Sequence, residues 1–398
     1  MQYAPIALFT YNRAEHTKQA VESLLKNKET KDSDLFIFSD GPKNEKAKRG
    51  VEVNRSFIRS LKDANDNGNL NLNGKGKGFS FSQSRDAENQ GSIVSLNNNL
   101  AKNELSQDNI SILSGNSQSA SLRKEQSASE DATQSTSPSL NREGRGESCF
   151  KSITIIEREK NWGLANSLIA GITEIVNKYG RVIVVEDDLI LSPYFLKFMN
   201  EALEKYKDED RVASISAFLN PIDCEAPETF FLRYFACWGW ATWKRGWDLL
   251  INDDRELLRR LRWKKNDFNI GGTGPFYGIL YCDKIGLNDS WAVRFYASQF
   301  LAGKLQLFPG KTMAIQTGTD GSGTHGITIQ HTFDSMRLCM EPIHLGDIAI
   351  EENKEMYDAF ARFYTKGNTE GRLKRVYSKI KSFFRSVLLV ILQVIRLG

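Results

Sequence analysis

Short apolar runs alternate with longer amphipathic stretches from the start of the chain, a rhythm that predicts strands separated by helices. Residues 5–9 read as a first strand, followed by Thr10-Tyr-Asn-Arg13 and a helix over 14–25. A second strand over 35–38 ends in Ser39-Asp-Gly-Pro42, where an apolar run meets an acid and two strong turn formers. A charged helix over 45–61 comes next, then a long polar interruption. The pattern resumes with a strand over 153–156 and a helix opened by Asn161-Trp-Gly163. In that helix Leu164, Leu168, Ile172 and Ile175 fall on one face of a 3.6-residue period. Val182 to Val185, β-branched throughout, suits a central strand covered on both faces. Ser192-Pro193 starts a further helix to about residue 206, and 212–218 forms another strand. The alternation up to about residue 190 predicts an α/β fold with a Rossmann-like nucleotide-binding half.

Composition changes this picture at two places. Residues 63–147 are mostly Asn, Ser, Gly, Gln and Lys, with isolated Leu and Ile, and cannot bury enough apolar surface to offset their ordering entropy. They read as a flexible, low-complexity insertion in one folded unit, the alternative being a polar subdomain. The second place is the C-terminus. From 371 to 398 there are seven basic residues, Arg372, Lys374, Arg375, Lys379, Lys381, Arg385 and Arg396, and no acidic one. The apolar run 387–395 is too short to span a bilayer, but a basic amphipathic helix there suits an anionic membrane surface, or else a protein partner. The remaining charge is nearly balanced, 53 basic against 49 acidic residues for a net +4, which is no nucleic-acid footprint. Five widely spaced cysteines without a CxxC pair suggest neither a disulfide framework nor a zinc knuckle. The start of the chain shows no secretory pattern, so the expected location is cytoplasmic, peripheral at the inner face of the cell membrane.

The candidate chemistry centres on Glu186-Asp-Asp188, three carboxylates at the carboxyl end of an apolar strand, where open α/β sheets place their ligands. They read either as a divalent-cation site or as an ordinary polar loop. No Gly-x-Gly-x-x-Gly follows the first strand and no P-loop occurs, so a nucleotide would be met by side chains such as Arg13 and Asp40. Four of the seven tryptophans lie between 238 and 247, suggesting an aromatic platform for a sugar ring or base, or else plain core. Asp289, in Asn-Asp-Ser-Trp-Ala-Val-Arg294, stands before an apolar helix as either a helix cap or a general base. Gly318-Thr-Asp-Gly-Ser-Gly-Thr-His-Gly326 is a glycine-rich loop in which His325 is the histidine nearest a candidate site.

Taken in order, Pro-Ile-Ala-Leu-Phe-Thr-Tyr-Asn-Arg13, Phe-Ser-Asp-Gly-Pro42, Glu-Lys-Asn-Trp-Gly-Leu-Ala165, Val-Val-Glu-Asp-Asp-Leu189, Trp-Gly-Trp-Ala-Thr-Trp243, Asp-Ser-Trp-Ala-Val-Arg294 and Asp-Gly-Ser-Gly-Thr-His325 resemble the inverting GT-A glycosyltransferases. The resemblance is to the family of N-acetylglucosaminyltransferase I and its bacterial relatives from surface-polysaccharide gene clusters. It implies a GT-A fold, a mixed central sheet flanked by helices, over 1–62 and 148–335. The nucleotide-binding half would run to about 190 and the acceptor half over 191–335, with a C-terminal helical region over 336–398.

The resemblance also implies an enzyme: transfer of a hexosyl or N-acetylhexosaminyl group from a nucleotide-diphosphate sugar, a UDP-sugar, to a saccharide or lipid-linked saccharide acceptor. Asp188 would bind Mn2+ or Mg2+, with Glu186 and Asp187 contacting the donor's ribose and sugar. Arg13, Asp40 and Asn161 would lie at the nucleotide, Trp240 and Trp243 would border the sugar pocket, and Asp289 would be the catalytic base. His325 and its loop would cover the diphosphate. Around Glu159–Asn161 the chain departs from the animal enzyme's uracil contact. Two other readings remain at this level: a nucleotidyltransferase acting on sugar phosphates, which usually carries a basic glycine-rich loop after its first strand, and a non-catalytic saccharide-binding protein with a GT-A-like fold.

Overall fold

The computed structural model describes residues 3–68, 70, 149–318 and 336–366. Its centre is an eight-stranded mixed sheet flanked by helices, a Rossmann-like α/β arrangement. In chain order the first half runs β1 (Ile6–Thr10), α1 (Ala14–Leu24), β2 (Asp34–Ser39), α2 (Glu45–Asp66), β3 (Ser152–Glu157), α3 (Leu164–Tyr179) and β4 (Arg181–Glu186). The second half runs β5 (Leu189–Leu191), α4 (Phe195–Lys205), β6 (Val212–Ser216), β7 (Thr229–Leu232), β8 (Trp240–Trp243), α5 (Lys244–Trp247), α6 (Asp254–Leu261), α7 (Lys265–Phe268), α8 (Phe276–Lys284), α9 (Trp291–Leu301), β9 (Leu305–Pro309) and β10 (Ala314–Gln316). A last helix, α10, occupies 354–366.

Strand order is β3-β2-β1-β4-β8-β6-β9-β7. The first four strands are parallel, and their alternate residues feed two separate apolar layers. Ile6, Leu8, Ile183 and Val185 pack with α1, α2 and α4, whereas Ala7, Phe9, Val182 and Val184 pack with α3, α6 and α9. A strand buried on both faces needs an unbroken apolar run, and β1 and β4 have one until a carboxylate or hydroxyl ends it. Beyond β4 the sheet becomes mixed: β8 is antiparallel to both β4 and β6.

The order of the parallel strands sets the site. The chain leaves β1 towards β2 and β3, then returns to place β4 on the other side of β1. Strand order therefore reverses between β1 and β4, and the crevice beyond their carboxyl ends is where such sheets bind ligands. Glu186 lies opposite Phe9 in that pair, so the segment 10–13 and the carboxylates 186–188 leave the sheet side by side.

Two boundaries differ from the sequence reading by a turn or more. α2 runs a full turn past the expected end, to Asp66, because Asn65 is buried and hydrogen-bonds both ways to Phe150, with Phe150 N–H to Asn65 Oδ1 at 2.7 Å. That clamp joins the two sides of the insertion, which belong to one folded unit. Residues 71–148 lie outside the described residues, as does the basic tail from 367 onward. The region after 336, expected to be helical, is irregular to 353 before α10 begins. It lies along the sheet's last strand, with Glu352 bridged to Phe231, and buries Cys339, Ile343, Met356 and Phe360. Such a cover removes an open strand edge. Among the described residues no helix is long and apolar enough to cross a membrane.

Candidate functional site

Arg13 follows β1, and its Nη2 donates to Asp187 Oδ1 at 2.5 Å and Asp188 Oδ2 at 2.9 Å. Tyr11 N–H adds a bond to Asp187 Oδ2 at 3.3 Å. The turn at 187–188 leads into β5, which pairs antiparallel with β10, and this brings the segment after β10 back to the same carboxylates. Gln316 Nε2 reaches Asp188 Oδ2 at 3.3 Å, while Thr317 N–H and Oγ1 donate to the Asp188 carbonyl. Gly318 is required here for close approach, since a Cβ would lie 2.3 Å from Asp188 Oδ2 and 2.8 Å from Arg13 Nη1.

The electrostatics of this cluster are unbalanced, with three carboxylates facing one guanidinium. Burial, with Asp188 and Asp187 alongside and Arg13 only partly offsetting them, pushes the Glu186 carboxyl up to about 8. Asp187 rises to about 6, again from burial, with Arg13 opposing the rise. Cys237 is pushed up by burial and by the neighbouring Glu186. Arg13 Nη1 is buried with no hydrogen-bond partner. Among the described residues no group of three or more His, Cys, Asp or Glu side chains is gathered as metal ligands.

Asp40 and Asn161 come together one strand away. The Asp40 carboxylate, expected at a nucleotide, is buried and accepts from four donors of the protein. Oδ1 accepts from the Gly41 and Trp162 amides, each at 2.9 Å, and Oδ2 accepts from Gly163 N–H and Asn161 Nδ2, each at 3.0 Å. Gly163 precedes α3, so Asp40 satisfies an amide at that helix's start. Asn161 also donates to the Gly41 carbonyl at 2.7 Å. The pair is a clasp between the loops after β2 and β3. Tyr11 ties it to the carboxylate cluster, its backbone on Asp187 and its hydroxyl accepting from Lys43 N–H at 2.9 Å. Beside the clasp stands Trp162, 43% exposed, with Arg158 over its ring at 4.1 Å.

The tryptophans correct the aromatic-platform reading. Trp240 and Trp243 lie three residues apart on β8, so they point to opposite faces of the sheet and cannot border one pocket. Trp240 is fully buried, packed on Trp247 and Phe295 and stacked on Trp291 at 5.6 Å. Trp243 is buried in the other layer, its Nε1 donating to Leu203 O at 3.1 Å. Both are core. Trp240→Ala should therefore cost about 3–5 kcal/mol of stability in chemical denaturation, with Trp240→Phe much milder; an unchanged midpoint for the alanine variant would show that the ring is not needed for packing.

Trp240 lies between the strand that leads to the carboxylate cluster and the helix that follows Asp289. It lies opposite Val184, two residues before Glu186, and stacks on Trp291, two residues after Asp289. The cap of α9 is Ser290, whose Oγ accepts from Val293 N–H, so Asp289 does not fill that role. Its carboxylate, 59% exposed, accepts from Arg294 Nη2 at 2.7 Å. Arg294 is buried and also lies 3.7 Å from Asp254 and Asp283, whose carboxyls burial pushes up. His325 lies outside the described residues, although the stem of its loop, 316–318, is the segment that touches Asp188.

Pattern reading missed Gln316 and Thr317 as partners of Asp188, Tyr11 as the link between the two clusters, and Trp162 as an exposed indole beside the clasp. The one available signal was Gly318 following a short strand. Neither family models nor curated proteins match this chain.

Proposed function

We propose that this chain is a metal-dependent, inverting glycosyltransferase of GT-A fold. On this reading it transfers a sugar from a nucleotide-diphosphate donor, a UDP-sugar, to a saccharide or lipid-linked saccharide acceptor in surface-polysaccharide biosynthesis. The observation that carries the reading is the meeting of the 186–188 carboxylates, Arg13 and the 316–318 stem at the β1/β4 switch point. The donor set is oxygen only and short of positive charge, which fits a hard divalent cation such as Mn2+ or Mg2+. Asp188 would hold it, with the donor's diphosphate oxygens supplying further ligands. When bound, the cation offsets negative charge on the leaving diphosphate.

The protein's own groups do the rest. Arg13 Nη1 offers a buried N–H without a partner, suited to a phosphate oxygen. Glu186, at the strand's end with some solvent contact, would meet the donor's hydroxyls. Asp289 takes the proton from the acceptor hydroxyl as that oxygen bonds to the anomeric carbon and the bond to the diphosphate breaks. No covalent enzyme intermediate is needed, and configuration inverts.

The test is a screen of sugar nucleotides for release of nucleoside diphosphate. Release should require Mn2+ or Mg2+, should not occur from nucleoside triphosphates, and should fall at least a hundredfold in Asp188→Ala. Cleavage of triphosphates in the presence of a sugar phosphate would favour the nucleotidyltransferase instead. Absence of donor cleavage, together with saccharide binding, would favour the non-catalytic protein.

A further inference from the structure

The chain carries a cationic, aromatic face that the proposed chemistry does not use. α6 ends at the buried Leu261, and Arg262-Trp-Lys264 leads from it into Lys265 of α7, with Trp263 84% exposed. Arg259, Arg260, Arg262, Lys264 and Lys265 are all exposed, and among the described residues only Arg259 of these has an ion pair, with Glu256. Five cations in seven residues repel one another, and folding alone has no use for an indole in water among them.

The face continues along α8. Arg294 reaches Asp254 at the start of α6 and Asp283 near the end of α8, so the two helices run antiparallel. Lys265 Nζ lies 5.1 Å from the Tyr277 ring near the start of α8. From there Tyr277, Tyr281 and Ile285 follow at four-residue spacing, which puts them on one side of the helix. Tyr281 and Ile285 are each half exposed, and Leu287 beyond them is 75% exposed. Lys284 flanks this row, with its Nζ 5.8 Å from the Tyr281 ring.

We propose that this α6–α8 face docks the protein on an anionic lipid bilayer. The cations complement phosphate headgroups, while Trp263 suits the headgroup level and Ile285 and Leu287 suit the acyl boundary. A soluble polyanion would match the charge but leave the aliphatic side chains in water, so a lipid surface fits the whole face. The row ends at Leu287, two residues before Asp289. Docking would thus bring a membrane-borne acceptor to that carboxylate, and this consequence alone rests on the transferase reading.

The full chain is to be partitioned between buffer and vesicles of phosphatidylcholine with phosphatidylglycerol, at lipid concentrations below saturation. Combined Arg260→Glu, Arg262→Glu, Lys264→Glu and Lys265→Glu should weaken partition by about fivefold per residue. Trp263→Ser should weaken it by about tenfold. All five positions are exposed, so the variants should keep the parent circular dichroism. Bromine-labelled acyl chains should quench wild-type tryptophan fluorescence more than that of Trp263→Phe; the basic tail from 371 onward contains no tryptophan, so this difference reports on the α6–α8 face. Unchanged partition in the variants, or equal quenching of wild type and Trp263→Phe, would overturn the proposal and leave the tail as the membrane contact. Binding to dextran sulfate that the charge reversals abolish, without acyl-chain quenching, would also overturn it in favour of a polyanion surface.

Discussion

Asp289→Asn should lower the rate of sugar transfer about a thousandfold while leaving the fold and donor affinity intact, because general-base contributions fall at about 10²–10⁴. The substitution keeps size and an oxygen that Arg294 Nη2 can still donate to, but the amide cannot take a proton. Its structural cost should be small, since the carboxylate is more than half exposed and exposed ion pairs contribute about 0–1 kcal/mol. On the proposed reading donor binding falls to the carboxylate cluster after β4, on a different element, and should be unchanged. Measuring transfer to acceptor alongside donor affinity separates the two. A variant that binds donor normally and transfers at the full rate would remove Asp289 as the base and leave the donor-site assignment standing.

Arg294 explains how that carboxylate can be held without being buried. Its guanidinium sits inside the layer of α6, α8 and α9, where it faces Asp254 and Asp283, and only its Nη2 extends to Asp289. A short, exposed side chain is thereby fixed in direction by a buried one. Trp291 and Trp240 connect the same layer to β4, so the proposed base and the carboxylate cluster are joined through packed core. This is a different use of the tryptophans from a ligand platform: they are packed core.

The first half of the fold was legible because each strand there is an apolar run and each helix has one clear face. Predicted and observed ends of β1, β2, β3 and β4 differ by one residue, and α3 begins directly after Asn161-Trp-Gly163, the segment expected to open it. The second half was less legible for a physical reason. β5 and β10 are three residues long, too short to show a period, and β8 is buried on both faces with Trp240 and Trp243 in it, so its aromatic richness looked like a surface. At the site, local pattern located the carboxylates but not their partners. Arg13 meets Asp187 across 174 residues, and Gln316 meets Asp188 across 128, through strand pairing that no local spacing encodes. Asp40 was visible as an acid at a strand end, yet its use depends on amides from Trp162 and Gly163 in another loop.

Arg13→Met should destabilise the metal-free protein by about 3 kcal/mol at pH 8, and by much less at pH 5.5. Methionine keeps most of the apolar stem and loses the guanidinium, so the main change is loss of the cation nearest the buried carboxylates. The pH dependence follows from the raised values. Glu186 titrates at about 8 in the folded chain against an ordinary 4.5, so between those values the folded chain binds a proton that the unfolded chain has released. Stability of the wild type therefore falls as pH climbs through that window, and Asp187, about 6 against 3.8, adds the same slope at its lower end. At pH 5.5 Glu186 is protonated and Asp187 largely so, and less charge awaits compensation. At pH 8 Asp187 is ionised and Glu186 is half so, and Arg13 opposes their repulsion. Denaturant midpoints for wild type and variant at the two pH values give the comparison, with Glu186→Gln expected to flatten the slope. Equal destabilisation at both pH values would mean that Arg13 acts by packing rather than by charge, and would weaken the case that this turn is built to receive a cation.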